Sequence, residues 1–247
     1  MITIKDVQSI ALMREAGQRL LEIFQQLPSL IQVGVTTAEI DSFIDSEQKK
    51  RSLISMSKGY MGYKHASCIS VNDEIVHGVP GTYVLRSGDF VKVDVCASYK
   101  GYCADMARPF VVGEAKPEVK RLIDVAQASL DAGVDQVYPG NRISNISVAI
   151  QHVVEREGFG VVRDFAGHGI GRRMHEDPEI LNYGKPNRGV ELRPGMVFAL
   201  EPMITYGNHA CYIAHDGWTA KTEDGSLAAH VEDTVAVVKD GFLILTR

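Results

Sequence analysis

Long apolar runs are missing from this chain. The longest, Met196-Val197-Phe198-Ala199-Leu200, has five residues, whereas a membrane-spanning helix needs about 20. Cysteine is scarce. The four present, Cys68, Cys96, Cys103 and Cys211, form no C-x-x-C pair, which excludes a zinc knuckle and a thioredoxin-type motif. They read as free, small, buried thiols in a reducing compartment. Positive charge is in deficit: 26 Lys+Arg against 31 Asp+Glu give −5. No basic field exists to hold a nucleic-acid backbone or an anionic membrane. The first 17 residues carry charges throughout and lack the apolar core of a signal peptide, so a cytoplasmic location is expected. No G-x-x-x-x-G-K-[ST] phosphate loop and no nucleophile elbow is present. No Ser/Gly linker divides the chain. At 45% hydrophobic and 23% charged residues over 247 positions, the composition excludes disorder and points to one substantial core.

What is there is periodic. Helical spacing runs over 6–27, with Asp6 able to cap and Pro28 expected to stop the helix. Thr36 to Glu39 has capping-box spacing and opens a second helix. Residues 52–66 lack a period and read as a loop with exposed aromatics. Strand-like runs follow at 68–71, 90–98 and 102–112. Helical spacing returns from Val119 to Leu130 and from Ile146 to Val154. Strands and Gly-rich turns fill the last third. Sliding the chain by about 107 positions lays Leu85-Arg86-Ser87-Gly88 over Leu192-Arg193-Pro194-Gly195, each followed by an apolar-rich strand and a carboxylate, Asp94 or Glu201. The chain therefore reads as α+β, two similar halves of roughly 1–115 and 116–247 within one domain, with the carboxylates converging between them.

Four carboxylates stand where charge is costly. Asp94 interrupts a β-branched run, and Asp105 follows eleven residues on, beyond a turn. If Lys100-Gly101 is a two-residue turn, Asp105 faces Cys96 with Asp94 diagonal to it. A four-residue loop from Ser98 would place Asp94 directly opposite Asp105. Either even-length loop puts both on one sheet face within about 5–8 Å, whereas an odd-length loop would separate them unless a bulge restores the register. Glu201 ends the longest apolar run, and Glu232 sits in another. Their combined charge of −4 balances two divalent cations, and oxygen-rich ligation without Cys suits Mn, Fe or Co as well as Zn. His168 and His175 lie in a Gly-rich bend whose glycines let the two imidazoles be aimed separately. His65, His152, His209, His215 and His230 have no partner pattern and read as surface or packing residues.

The ordered set Asp94, Asp105, His168, Glu201, Glu232, with its flanking sequences, resembles the metal signature of the methionine aminopeptidases and the wider pita-bread peptidases. The block Cys68 to Pro80, with His77, is similar to the type I subclass. Across nearly the whole chain, the resemblance implies a pita-bread fold: pseudo-symmetric halves, a curved antiparallel sheet covered by helices, and a dinuclear metal site between the halves. It implies removal of the initiator methionine from nascent polypeptides when the second residue is small, by attack of a metal-bridging hydroxide on the scissile carbonyl. Asp94, Asp105, His168, Glu201 and Glu232 would hold two divalent ions, Co, Mn, Fe or Zn. Glu201 would also accept the proton, and His77 and His175 would contact substrate. Tyr60, Tyr63 and Trp218 match positions near the methionine slot. A monomer with transient ribosome association fits the same picture. Three departures bear on specificity: Asp233 stands where His is usual and resembles Xaa-Pro peptidases of the same fold, Met174 stands where Phe is common, and Ser57 where several members have Cys. A non-catalytic binding protein of this fold is the other alternative, and such relatives have typically lost ligands.

Overall fold

A computed structural model describes all of residues 1–247. Its elements in chain order are α1 Val7–Phe24, α2 Leu27–Leu30, α3 Thr37–Lys50, β1 Ile54–Ser55, β2 Cys68–Val71, β3 Glu74–Val76, β4 Phe90–Tyr99, β5 Tyr102–Val111, α4 Pro117–Val134 and α5 Ile143–Arg156. There follow β6 Gly160–Val161, β7 Gly167–Gly169, β8 Glu176–Ile180, β9 Val197–Leu200, β10 Met203–Thr205, β11 Cys211–Ile213, β12 Ala220–Thr222, β13 Ala228–His230, β14 Glu232–Val238 and β15 Gly241–Ile244. A nine-stranded antiparallel sheet runs β1-β4-β5-β14-β9-β7-β8, with β2 on β4 and β15 on β14. Two three-stranded sheets, β13-β10-β6 and β11-β12-β3, flank it. No helix is long and apolar enough to cross a membrane.

Local signals set most boundaries. Asp6 caps α1 by accepting the Ser9 N–H at 2.7 Å. Thr36 and Glu39 close both halves of the capping box on α3. Pro28 does not stop the first helix. α1 already ends at Phe24, and Pro28 sits in the first turn of α2, where a missing N–H costs nothing. The 52–66 stretch is also less open than expected. It contributes β1, which pairs with Ser98 and Ala97, and Tyr63 within it is only 5% exposed.

The helices cover one side of the large sheet. Ala16, Leu20 and Ile23 of α1 and Ile40 and Ile44 of α3 pack on Val91, Val93, Val95, Ala104 and Met106. Leu122, Ala126 and Leu130 of α4 and Ile146 and Ile150 of α5 pack on Phe198, Leu200, Val235 and Val237. The same hydrogen bonds recur in the two parts of the chain. Gly34 N–H donates to Leu85 O and Gly140 N–H to Leu192 O, both at 2.9 Å; Leu85 N–H donates to Val35 O and Leu192 N–H to Asn141 O, both at 2.8 Å. Gly88 and Gly195 both take a positive φ, 93° and 91°, as they bond to Val112 and Val237.

Candidate metal centre and active site

Strand register alone gathers the five candidate ligands. Lys100 and Gly101 both have positive φ, 49° and 79°, which makes the β4–β5 connection a two-residue hairpin turn. Cys96 thus pairs with Asp105, and Asp94 with Ala107. Ala107 also pairs with Glu232. Thr234, two residues along, pairs with Ala199, and Ala199 with His168. Glu201 lies two residues beyond Ala199. Directly paired residues and their i±2 neighbours share a face. Asp94, Asp105, His168, Glu201 and Glu232 therefore all stand on the side of the sheet opposite the helices. Cys68, paired with Asp94, joins them. Thr234 clamps the Asp105 backbone, accepting its N–H and donating to its carbonyl, both at 2.8 Å.

These carboxylates are crowded and under-partnered. Asp105 and Glu232 are 5% and 2% exposed, and Asp105 Oδ1 and Glu232 Oε1 have no hydrogen-bond partner. Burial pushes Asp105 up to about 7, with the Glu201 charge adding to it. Burial also takes Glu201 to about 8. Asp94 and Glu232 are raised well above the usual range by burial and then by the neighbouring carboxylates. His168 Nδ1 lies 3.0 Å from Gly169 O, so Nε2 faces the acids, 3.5 Å from Glu201 Oε1 and 3.9 Å from Asp105 Oδ2. Burial drives His168 down to about 3, which keeps the imidazole neutral. Ligand atoms of Asp105, His168 and Glu232 lie within 4.8 Å of one another. Orphaned acceptors, a neutral imidazole and like charges held together are the surroundings a divalent cation would satisfy. The residues present fit such an ion.

The ligand face forms the floor of a cavity of about 300 Å³. Tyr60, Tyr63, Cys68, Met174 and Trp218 wall it, with Ser57 at the edge. Tyr63 donates to Ser67 O at 3.0 Å or Gly78 O at 3.3 Å and sets its ring edge-on to Trp218, 5.0 Å away. The two histidines of the Gly-rich bend meet, their rings 4.4 Å apart. His175 Nδ1 reaches the Tyr60 hydroxyl at 3.0 Å. His77 has φ 58° and packs edge-on to Phe165. Burial and the neighbouring histidines hold it near 4. An open groove of about 690 Å³ leads on past His77, His175, Asp177 and Glu179.

His230 and two of the cysteines depart from expectation. His230 is not a surface or bystander residue. It is 1% exposed, its Nε2 has no hydrogen-bond partner, and that atom lies 3.5 Å from Glu201 Oε2. Its spacing of two from Glu232 on a strand-like run was the available signal. Cys68 and Cys96 are cavity-lining thiols rather than plain core, while Cys211 is half-buried and directed at Asp164. Asp233, in contrast, pairs with Met106 and Leu200 and points to the helix side, away from the cavity. It accepts from Arg108 Nη2 at 2.5 Å, Arg247 Nε at 2.6 Å and Thr246 Oγ1 at 2.8 Å.

The model of metallopeptidase family M24 matches residues 11–239. The chain is 43% identical over 247 residues to methionine aminopeptidase 1 of Bacillus subtilis, covering 100% of both chains. The crystal structure of a Thermotoga maritima methionine aminopeptidase superposes with a TM-score of 0.98 at 42% identity over 100% of each chain. A Pyrococcus furiosus prolidase, 22% identical, superposes at 0.79 over 99% of this chain and 65% of its own, a likeness of fold alone.

Proposed function

The chain belongs to metallopeptidase family M24, and on that premise we propose how its residues carry out the removal of N-terminal methionine. That it is a methionine-removing metallopeptidase follows from the full-length identity to the methionine aminopeptidases. The ligand set, its occupancy and the steps are our reading. The observation that carries it is the pair of buried, partnerless oxygens, Asp105 Oδ1 and Glu232 Oε1, on the floor of an apolar-walled cavity.

Asp94, Asp105, His168, Glu201 and Glu232 would hold two divalent ions, Co, Mn, Fe or Zn. Such ions supply Lewis acidity, bringing the pKa of water toward neutrality and polarising a carbonyl. Glu201 takes the proton released by the attacking water and returns it to the leaving amine. Its burial, which favours the protonated form, suits it to carry that proton. His77 and His175, neutral at working pH, donate hydrogen bonds to the peptide beside the scissile bond. Tyr60, Tyr63 and Trp218, with Met174 and Cys68, form the slot for the methionine side chain. A more enclosed cavity at one end and a more open groove at the other favour an exopeptidase that takes an N-terminus and lets the chain leave. Nascent polypeptides with a small second residue are the proposed substrates, met in the cytoplasm by a monomer that visits the ribosome. The whole of 1–247 is read as one domain, supported by the hydrogen bonds that recur between its halves, 1–115 and 116–247.

The deciding experiment is hydrolysis of Met-Ala-Ser against Ala-Pro-Ala by chelator-stripped protein with Mn, Co, Fe(II) or Zn restored. Metal-dependent methionine release from the first peptide alone is expected. Cleavage of the second alone would move the specificity to Xaa-Pro substrates. No cleavage and no retained metal would leave only a binding protein.

A further inference from the structure

Lys5 and Glu176 form an ion pair at 3.0 Å whose side chains are only 6% and 5% exposed. A buried pair is costly unless its remaining lone pairs and protons are met. Here they are. Glu176 Oε1 accepts the backbone N–H of Arg172 at 2.9 Å and of Arg173 at 3.2 Å. Glu176 Oε2 accepts Lys5 Nζ at 3.0 Å and the Thr3 hydroxyl. Lys5 Nζ also reaches Thr3 Oγ1 at 2.6 Å, and the Lys5 N–H donates to Gly195 O at 2.7 Å. Backbone closes on the pair at two glycines. A Cβ at Gly171 would stand 2.6 Å from Lys5 Cε and 2.7 Å from Glu176 Oε1, and one at Gly195 would stand 2.6 Å from Lys5 O.

This knot lies directly behind His175. Residues 175 and 176 are adjacent, but the imidazole turns to the Tyr60 hydroxyl and the His168 ring, while the carboxylate turns to residues 3–5. The bend between β7 and β8 follows Gly169, the last residue of β7, and contains Gly171, and glycines make such a segment entropically costly to hold in one conformation. Two of the four bonds to Glu176 are made within the bend. The other two tie the bend to a segment some 170 residues earlier in the chain.

We propose that Thr3, Lys5 and Glu176 are positioning residues: residues 3–5 form a strap that fixes the His175 bend in the geometry that turnover requires. The inference rests on the substrate-contacting role read for His175 above. The strap acts through that imidazole and leaves the metal ligands alone. Misplacing a catalytic group by a fraction of an ångström is expensive in rate and cheap in stability, so Lys5→Met should lower kcat about tenfold, with KM for Met-Ala-Ser and bound metal unchanged.

The test is a double-mutant cycle on metal-loaded enzyme, comparing Lys5→Met, Thr3→Val and Glu176→Gln in the wild-type and His175→Ala backgrounds. The strap substitutions should lower kcat in the wild type and change it less than about twofold once His175 is gone. Equal losses in both backgrounds, or loss of bound metal, would overturn the proposal, because the strap would then act on the fold or the ions. If Lys5→Met fails to fold, Thr3→Val carries the same comparison with the charge pair intact. His175→Ala alone retaining wild-type kcat would overturn the role given to that histidine, and the strap's action through it as well. That result is read from the single variant, separately from the strap variants.

Discussion

Glu232 and Asp233 are neighbours on β14, both closed to solvent at 2% and 0%, and their surroundings are opposite. Glu232 faces the cavity with one oxygen lacking any partner and with burial, and then four carboxylates including Asp233 itself, raising its pKa. Asp233 faces the helices and accepts from two guanidinium groups and a hydroxyl. Glu176 resembles Asp233, with four donors around it. A buried carboxylate that the protein satisfies by itself is part of the scaffold. One that the protein leaves unsatisfied awaits something that it does not contain. The difference between scaffold and site is therefore legible in partner lists more than in burial.

The strongest way to break this comparison is to remove a cavity-side acid. Asp105→Ala or Glu232→Ala should abolish activity and divalent-cation binding while the chain still folds. Calorimetric titration of each variant with Mn checks it, and wild-type turnover in either would end the dinuclear reading. His77→Ala comes next. Turnover should fall steeply with metal content unchanged, as measured by elemental analysis beside steady-state rates.

On the other side of the sheet the prediction reverses. Asp233→Ala should leave metal content intact and destabilise the fold by about 2–3 kcal/mol. That is below the 3–5 kcal/mol typical for a broken buried pair, because Arg108 and Arg247 are 21% and 37% exposed and regain some hydration. Denaturant melts of the metal-loaded protein measure it. Asp233→His should shift the ratio of Met-Ala-Ser to Ala-Pro-Ala cleavage little, because residue 233 faces away from the slot. A large shift would show that the back of the sheet reaches the substrate.

The smallest effect is one of pH. In the metal-free fold, Asp105 and Glu201 hold protons up to about 7 and 8, whereas the unfolded chain loses them near 4. The folded state binds more protons in that interval, so stability should fall as pH rises through it. His77 and His230, lowered to about 4, give the opposite slope, but only below their ordinary 6.5. Lys92, lowered to about 7 by burial, opposes this slope above that value, so the clean window is about pH 6.5 to 7. Thermal melts there should decline without metal and flatten when Mn is added.

Much of this molecule could be read from the chain. A two-residue period carries side-chain facing, so any even-length turn puts Asp94 and Asp105 on one face, and the two-residue turn at Lys100-Gly101 is one of the registers the spacing allows. Capping chemistry fixed the start of α3. Costly charge in apolar runs singled out the four acids, and their order identified the family. The chain was silent where partners are distant. It gave no reason to place Tyr63 indoors, because Ser67 O and Gly78 O accept its hydroxyl only once β2 and β3 are folded. It offered His230 as one histidine among five. It raised Asp233 as a doubt about specificity, and only the arrival of Arg108 and Arg247 from two other elements made it scaffold. The strap from Lys5 to Glu176 spans 171 positions with no pattern at either end. Periodicity and capping are local, so they survive in the one-dimensional sequence. Which buried polar group meets a partner, and which is left open for an ion, depends on long-range register and packing, and the tertiary structure alone decides it.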